Sequence, residues 1–119
     1  MLVNSESTCA QFTANDGCQI RELLHPKNDN IDLPFSLAVA EVEVGKCTYR
    51  HRLRQLEVYY IVAGTGIMHI GTEQHSVKPG DAVLVPANQT QWIENVGAKA
   101  LKFAAIVAPA WCAEDDERL

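Results

Sequence analysis

Apolar and polar residues alternate along this chain in short runs with a period of two, not the 3.6 of a helix. Runs rich in β-branched and aromatic side chains cover residues 18–24, 36–44, 48–53, 58–62, 67–70, 75–77, 82–85, 91–94 and 101–107, and each predicts a β-strand. The segments between them hold turn formers: Gly64-Thr65-Gly66, Gly71-Thr72, Lys78-Pro79-Gly80-Asp81, Pro86-Ala87-Asn88 and Asn95-Val96-Gly97. Such residues supply the positive or fixed φ that tight antiparallel connections need. No stretch keeps a helical apolar repeat over three turns, so little helix is expected. Many short strands describe a sandwich or a closed barrel, and periodicity does not choose between them.

At 119 residues the chain is expected to be one domain spanning 1–119. Residues 1–15 read as an arm or an edge strand, and 113–119 as an acidic, solvated tail. With 10 basic and 15 acidic residues the net charge is −5, which disfavours non-specific binding to nucleic acid or anionic membranes. No segment is long and apolar enough to span a bilayer, and the N-terminal residues lack a secretory pattern, so a cytoplasmic location is expected. Cysteines at 9, 18, 47 and 112 have no metal or redox spacing and read as reduced core residues.

Alternation places His51 and Leu53 on one strand face, with Arg50 and Arg52 on the other. Glu57 follows a turn and can face back toward His51, with Tyr59 and Ile61 on its face; an imidazole and a carboxylate on adjoining strands make a plausible divalent-metal corner. Gln91, Ile93 and Asn95 share a face of a later strand. If these faces meet, the interior holds imidazole, carboxylate and carboxamide together, either around an ion or as a hydrogen-bonded network without one. Arg54 is the best candidate to hold an anionic group at the rim, while Arg50 and Arg52 read equally as a solvated or subunit-facing surface. His25 can reach the barrel mouth; His69 and His75 read as surface or edge residues, and Trp92 and Trp111 as packing aromatics.

Two segments resemble the paired motifs of the cupin family. Gly45, His51, Leu53, Glu57 and Gly64 stand at the spacing of Gly, five residues, His-x-His, three residues, Glu, six residues and Gly. Gly80, Pro86, Asn88, Gln91 and Asn95 stand at the spacing of Gly, five residues, Pro-x-Gly, two residues, His, three residues and Asn. The resemblance implies an all-β double-stranded β-helix, or jelly roll, and a homodimer. It also implies ligand positions at His51, Leu53, Glu57 and Gln91, of which leucine cannot ligate and glutamine offers only a weak neutral oxygen. A divalent metal held by His51, Glu57 and Gln91 beside a small organic molecule is therefore expected, with isomerase or oxygenase-like chemistry. A single inherited imidazole argues against a ferrous oxygenase. Metal-free proton transfer by His51, with Glu57 orienting the ring and Tyr59 as the opposing acid, is an alternative. Another is a non-catalytic barrel that binds a small ligand through the same residues.

Overall fold

The computed structural model describes residues 1–119, and strands make up most of its regular structure. In chain order they are β1 (Gln11–Thr13), β2 (Gln19–Leu24), β3 (Ser36–Val42), β4 (His51–Leu53), β5 (Leu56–Ala63), β6 (Gly66–Ile70), β7 (Glu73–Val77), β8 (Ala82–Val85), β9 (Gln91–Asn95), β10 (Leu101–Ala108) and β11 (Asp116–Arg118). One short helix, α1 (Pro26–Asp29), follows β2. A six-stranded sheet runs β1-β2-β3-β10-β5-β8 and a five-stranded sheet runs β11-β4-β9-β6-β7, with antiparallel pairing throughout. This is the jelly roll that the motifs imply.

The period-two pattern becomes an inside and an outside. Along β3 every second residue from Ser36 to Val42 is buried, and β9 and β10 alternate in the same way. The inward set from both sheets forms one core that includes Val42, Ile61, Met68, Val85, Ile93 and Leu101. Within it the Tyr59 and Phe103 rings stack with centroids 4.5 Å apart.

Two elements differ from the sequence expectation, and a third decides between its options. The strand expected over 48–53 is ordered as β4 only from His51 to Leu53, because Thr48 instead bonds the β9 backbone: its amide donates to Ile93 O at 3.0 Å, and its Oγ1 accepts from Ile93 N at 3.0 Å. Of the two options for residues 1–15, residues 11–13 form the edge strand β1 against β2. The acidic segment read as a solvated tail carries β11, whose Asp116, Glu117 and Arg118 pair with Leu53, Arg52 and His51. Its ion pair Arg52–Glu117, at 2.7 Å, belongs to that pairing and could not be seen from local charge density.

Conformation explains the motif positions better than their side chains do. Asn88 stands where the second motif has glycine and adopts φ 66, a left-handed conformation that asparagine tolerates. Asn95 ties β9 to the sheet opposite: its Nδ2 donates to Val42 O and Lys99 O, both at 2.9 Å, and its Oδ1 accepts from Gly97 N at 3.0 Å. Gly64 ends β5 at φ +81, where a Cβ would lie 2.6 Å from Ala100 O. Both the dihedral and the backbone contact oppose a side chain, so Gly64→Ala is expected to lose roughly 2 kcal/mol or more in urea denaturation, with an unchanged slope.

Candidate functional site

A cavity of about 320 Å³ opens at one end of the barrel, between the inward faces of both sheets and the β1–β2 connection. His51 reaches its wall because β4 alternates inward, and Leu53 follows on the same face. Glu57 reaches it from the start of β5, level with Val107 of β10 and Val85 of β8. Gln91 lies directly across from His51 in the β4–β9 register. The structure thus gathers His51, Glu57 and Gln91 inside the barrel, all nearly excluded from solvent.

The hydrogen bonds assign roles within this group. His51 Nδ1 lies 3.3 Å from Tyr49 O, an atom that can only accept, so a ring hydrogen sits on Nδ1 and, in the neutral ring, Nε2 keeps its lone pair. Asp16 Oδ2 stands 3.9 Å from that Nε2. Asp16 itself is fixed by accepting from Cys18 N at 3.1 Å and from Cys18 Sγ at 2.9 Å, which holds the β1–β2 connection. The Tyr49 amide donates to Asp16 O at 2.6 Å and docks that connection onto β4.

Glu57 is the least conventional group. Its Oε1 is buried with no hydrogen-bond partner. Burial pushes its carboxyl up from the ordinary 4.5 to about 8; the Gln91 amide opposes this in part, and the nearby Asp16 and Asp116 carboxylates add to it. Burial also raises the Tyr59 hydroxyl well above its usual range. That hydroxyl donates to Gln91 Oε1 at 2.5 Å.

Not every expected site residue reaches the cavity. Tyr59 lies behind the wall and acts on the site through Gln91, because it is inserted in the core stack with Phe103. Arg54 is exposed on the far side of the β4–β5 turn, 3.8 Å from Asp115, and does not line the cavity. His25 is buried with both ring nitrogens used: Nδ1 accepts from Lys27 N at 3.1 Å and Nε2 lies 2.7 Å from Trp111 O. His69 is mostly buried, stacked on Trp92 at 4.3 Å and bonded to Glu94 at 2.6 Å, whereas His75 is exposed. Cys18 is a core thiol, but Cys47 is exposed.

Asp16 and Asp116 are cavity residues that the sequence did not single out. Asp16 falls outside every segment that the sequence singles out, and Asp116 within the acidic stretch read as a solvated tail. Their one visible signal was proximity to turn or strand residues, which does not reveal contact across the fold.

The residues do not present a ready set of metal donors. Leu53 occupies the second-histidine position, Gln91 Oε1 is turned to the Tyr59 hydroxyl, and no three His, Cys, Asp or Glu side chains are arranged around a common point. What the site does present is a base lone pair on His51 and a proton-bearing carboxyl on Glu57, facing one small enclosed space.

Glu57 also couples the site to stability. The native chain holds this proton up to about pH 8, whereas the unfolded carboxyl releases it near 4.5. The stabilisation is therefore complete below pH 4.5 and is lost as pH rises through about 8, at up to roughly 1.4 kcal/mol per pH unit. Urea midpoints measured from pH 5 to pH 9 are expected to fall more steeply for the wild type than for Glu57→Gln, whose side chain cannot ionise.

Comparison with known proteins places this architecture. The profile described as a cupin domain matches residues 38–107. The uncharacterized protein MJ1618 of Methanocaldococcus jannaschii is 39% identical over 109 residues, covering 91% of this chain and 86% of that protein. A predicted oxalate decarboxylase from Thermotoga maritima superposes with a TM-score of 0.79 at 21% identity, covering 91% of this chain and 99% of its own. A Streptomyces PAC13 variant with uridine superposes with a TM-score of 0.80 at 17% identity, covering 100% of this chain and 91% of its own. With a family match over more than half its length and both motif spacings intact, the chain belongs to the cupin family.

Proposed function

We propose that this cupin binds a small organic molecule in the cavity and moves a proton on it between His51 and Glu57. The observation that carries this reading is the pairing of a free Nε2 on His51 with an unpartnered, proton-bearing carboxyl on Glu57 at the wall of one cavity. On a substrate with a C–H next to a carbonyl, His51 Nε2 takes the carbon-bound proton and the C–H electron pair becomes the new C=C bond. The carbonyl π pair moves onto oxygen, which receives the Glu57 proton; where the C–H carbon also bears a hydroxyl, that hydroxyl returns a proton to Glu57 as its own C=O forms and the His51 proton goes to the former carbonyl carbon, which completes an isomerisation. Asp16 lies where it can pair with the protonated ring, and Tyr59 holds Gln91 beside it. Glu57 thus takes the acid role expected of Tyr59. The volume lies at the lower end of the roughly 300–1,000 Å³ usual for small-molecule pockets. The uridine of the PAC13 structure is a neutral organic molecule in a related barrel, which supports an organic rather than an inorganic occupant.

The divalent metal expected at His51, Glu57 and Gln91 is the competing assignment, and the missing second imidazole weighs against it. Elemental analysis of untagged protein separates the two. Substoichiometric metal is expected, together with binding of organic fragments by thermal shift that is lost when the cavity is filled in Ala105→Trp. Stoichiometric metal that disappears in His51→Ala would overturn the metal-free mechanism. Fragment binding that survives equally in His51→Ala and Glu57→Gln, with no exchange of ligand hydrogen for solvent deuterium, would leave a non-catalytic binding barrel.

A homodimer forms part of the same proposal. The outer face of the six-stranded sheet carries two apolar rows across neighbouring strands, Leu84-Val58-Ile106-Leu37 and Ala82-Tyr60-Ala104-Val39. Leu84 and Tyr60 are largely exposed there, and such a face suits a second copy. In sedimentation, Tyr60→Glu is expected to shift a dimer to monomer; an unaltered mass would remove this face as the interface. A cytoplasmic location accords with four unbridged thiols.

A further inference from the structure

The cavity wall carries an unusual charge pattern. Asp16, Glu22 and Asp116 line it as carboxylates beside the proton-bearing Glu57, and no lysine or arginine does. Where these carboxylates have partners, the partners leave their charge in place. Glu22 Oε1 accepts from Asn28 Nδ2 at 2.9 Å, and Asp116 accepts from Asn15 Nδ2 at 3.3 Å and Trp111 Nε1 at 3.0 Å. Asp16 accepts from Cys18, and its one basic neighbour is His51. Phe12, Ile20, Leu53, Val107 and Trp111 supply apolar and aromatic lining, and Thr13, Asn15, Ser36 and His51 the rest of its polar part.

We propose that the occupant of this cavity is a small organic cation, an amine or quaternary ammonium with an apolar body and a hydrogen-donating group that reaches Glu57 Oε1. This assignment rests on the reading of the cavity as the small-molecule site. The acidic residues stand apart around an apolar lining and do not converge, which suits a charge spread over a bulky alkylammonium better than a compact metal ion. Glu57 lines the cavity with a carboxyl whose Oε1 is buried and unpartnered, an acceptor that a ligand hydroxyl or N–H would satisfy. Trp111 and Phe12 add aromatic surface, to which cations are attracted. A dianion such as the oxalate named for the Thermotoga maritima structure would enter without a guanidinium or ammonium to meet it. The same wall therefore selects for one sign of charge and against the other.

The test uses three probes on the full-length protein, followed by ligand- and protein-observed NMR at low ionic strength. Choline carries the cation and a hydroxyl; 3,3-dimethylbutan-1-ol is its uncharged carbon isostere, and oxalate is the anion. Choline is expected to bind about tenfold or more tightly than the isostere, with the advantage shrinking as salt is added, and oxalate is expected not to compete. Asp116→Asn and Glu22→Gln are each expected to weaken choline about threefold or more and to leave the isostere unchanged. Isostere binding equal to or tighter than choline, displacement by oxalate, or choline affinity unmoved in both variants would overturn the cation assignment while the cavity remains a ligand site. Failure of all three probes to shift any cavity resonance would overturn the cation assignment and the small-molecule reading together.

Discussion

A carboxyl group held inside a β-barrel with one oxygen unpaired is the constraint around which the rest of this structure is arranged. The β5 register turns Glu57 inward beside Val85 and Val107, so the side chain is almost wholly withdrawn from water. An ionised carboxylate there would bear a large desolvation cost, and the group answers by keeping its proton. That choice decides the chemistry available at the cavity, since a neutral acid can donate where a carboxylate could only accept. It also ties the fold's stability to the occupancy of one proton.

The other polar groups at this end of the barrel are organised so that each has a defined partner. Tyr59 fixes Gln91, Tyr49 fixes the His51 tautomer, and Cys18 fixes Asp16. Pre-set orientation of this kind lowers the reorganisation needed when a ligand arrives. Glu57 Oε1 and Gln55 Oε1 are the two buried side-chain oxygens without a partner, and only Glu57 faces the cavity.

Fold and site were readable from the sequence to different depths. Strand positions followed from alternation because one face of each strand must be buried, and β3, β9 and β10 show that rule nearly undisturbed. The encounter of His51, Glu57 and Gln91 followed from motif spacing, since the barrel register is set by the turns at Gly64, Gly80 and Asn88. The roles of Asp16 and Asp116 were hidden because their contacts join residues far apart in the chain, such as Asn15 with Asp116. Local composition near residue 116 is that of solvated chain, and pairing with β4 overrides it. Tyr59 stays out of the cavity for a different reason. Sharing a strand face with Glu57 brings a residue inward, but depth along the strand decides whether it meets the cavity or the core.

The lining of the cavity comes from two sources. His51, Leu53, Glu57, Ala105 and Val107 lie within the stretch matched to the cupin domain, whereas Phe12, Asp16, Glu22, Trp111 and Asp116 lie outside it. The cupin-matched stretch thus supplies His51 and Glu57, and part of the surrounding wall comes from the chain on either side of it. Relatives sharing the scaffold can diverge in diet by redrawing those flanks alone, so kinship across residues 38–107 is a poor guide to what each member admits.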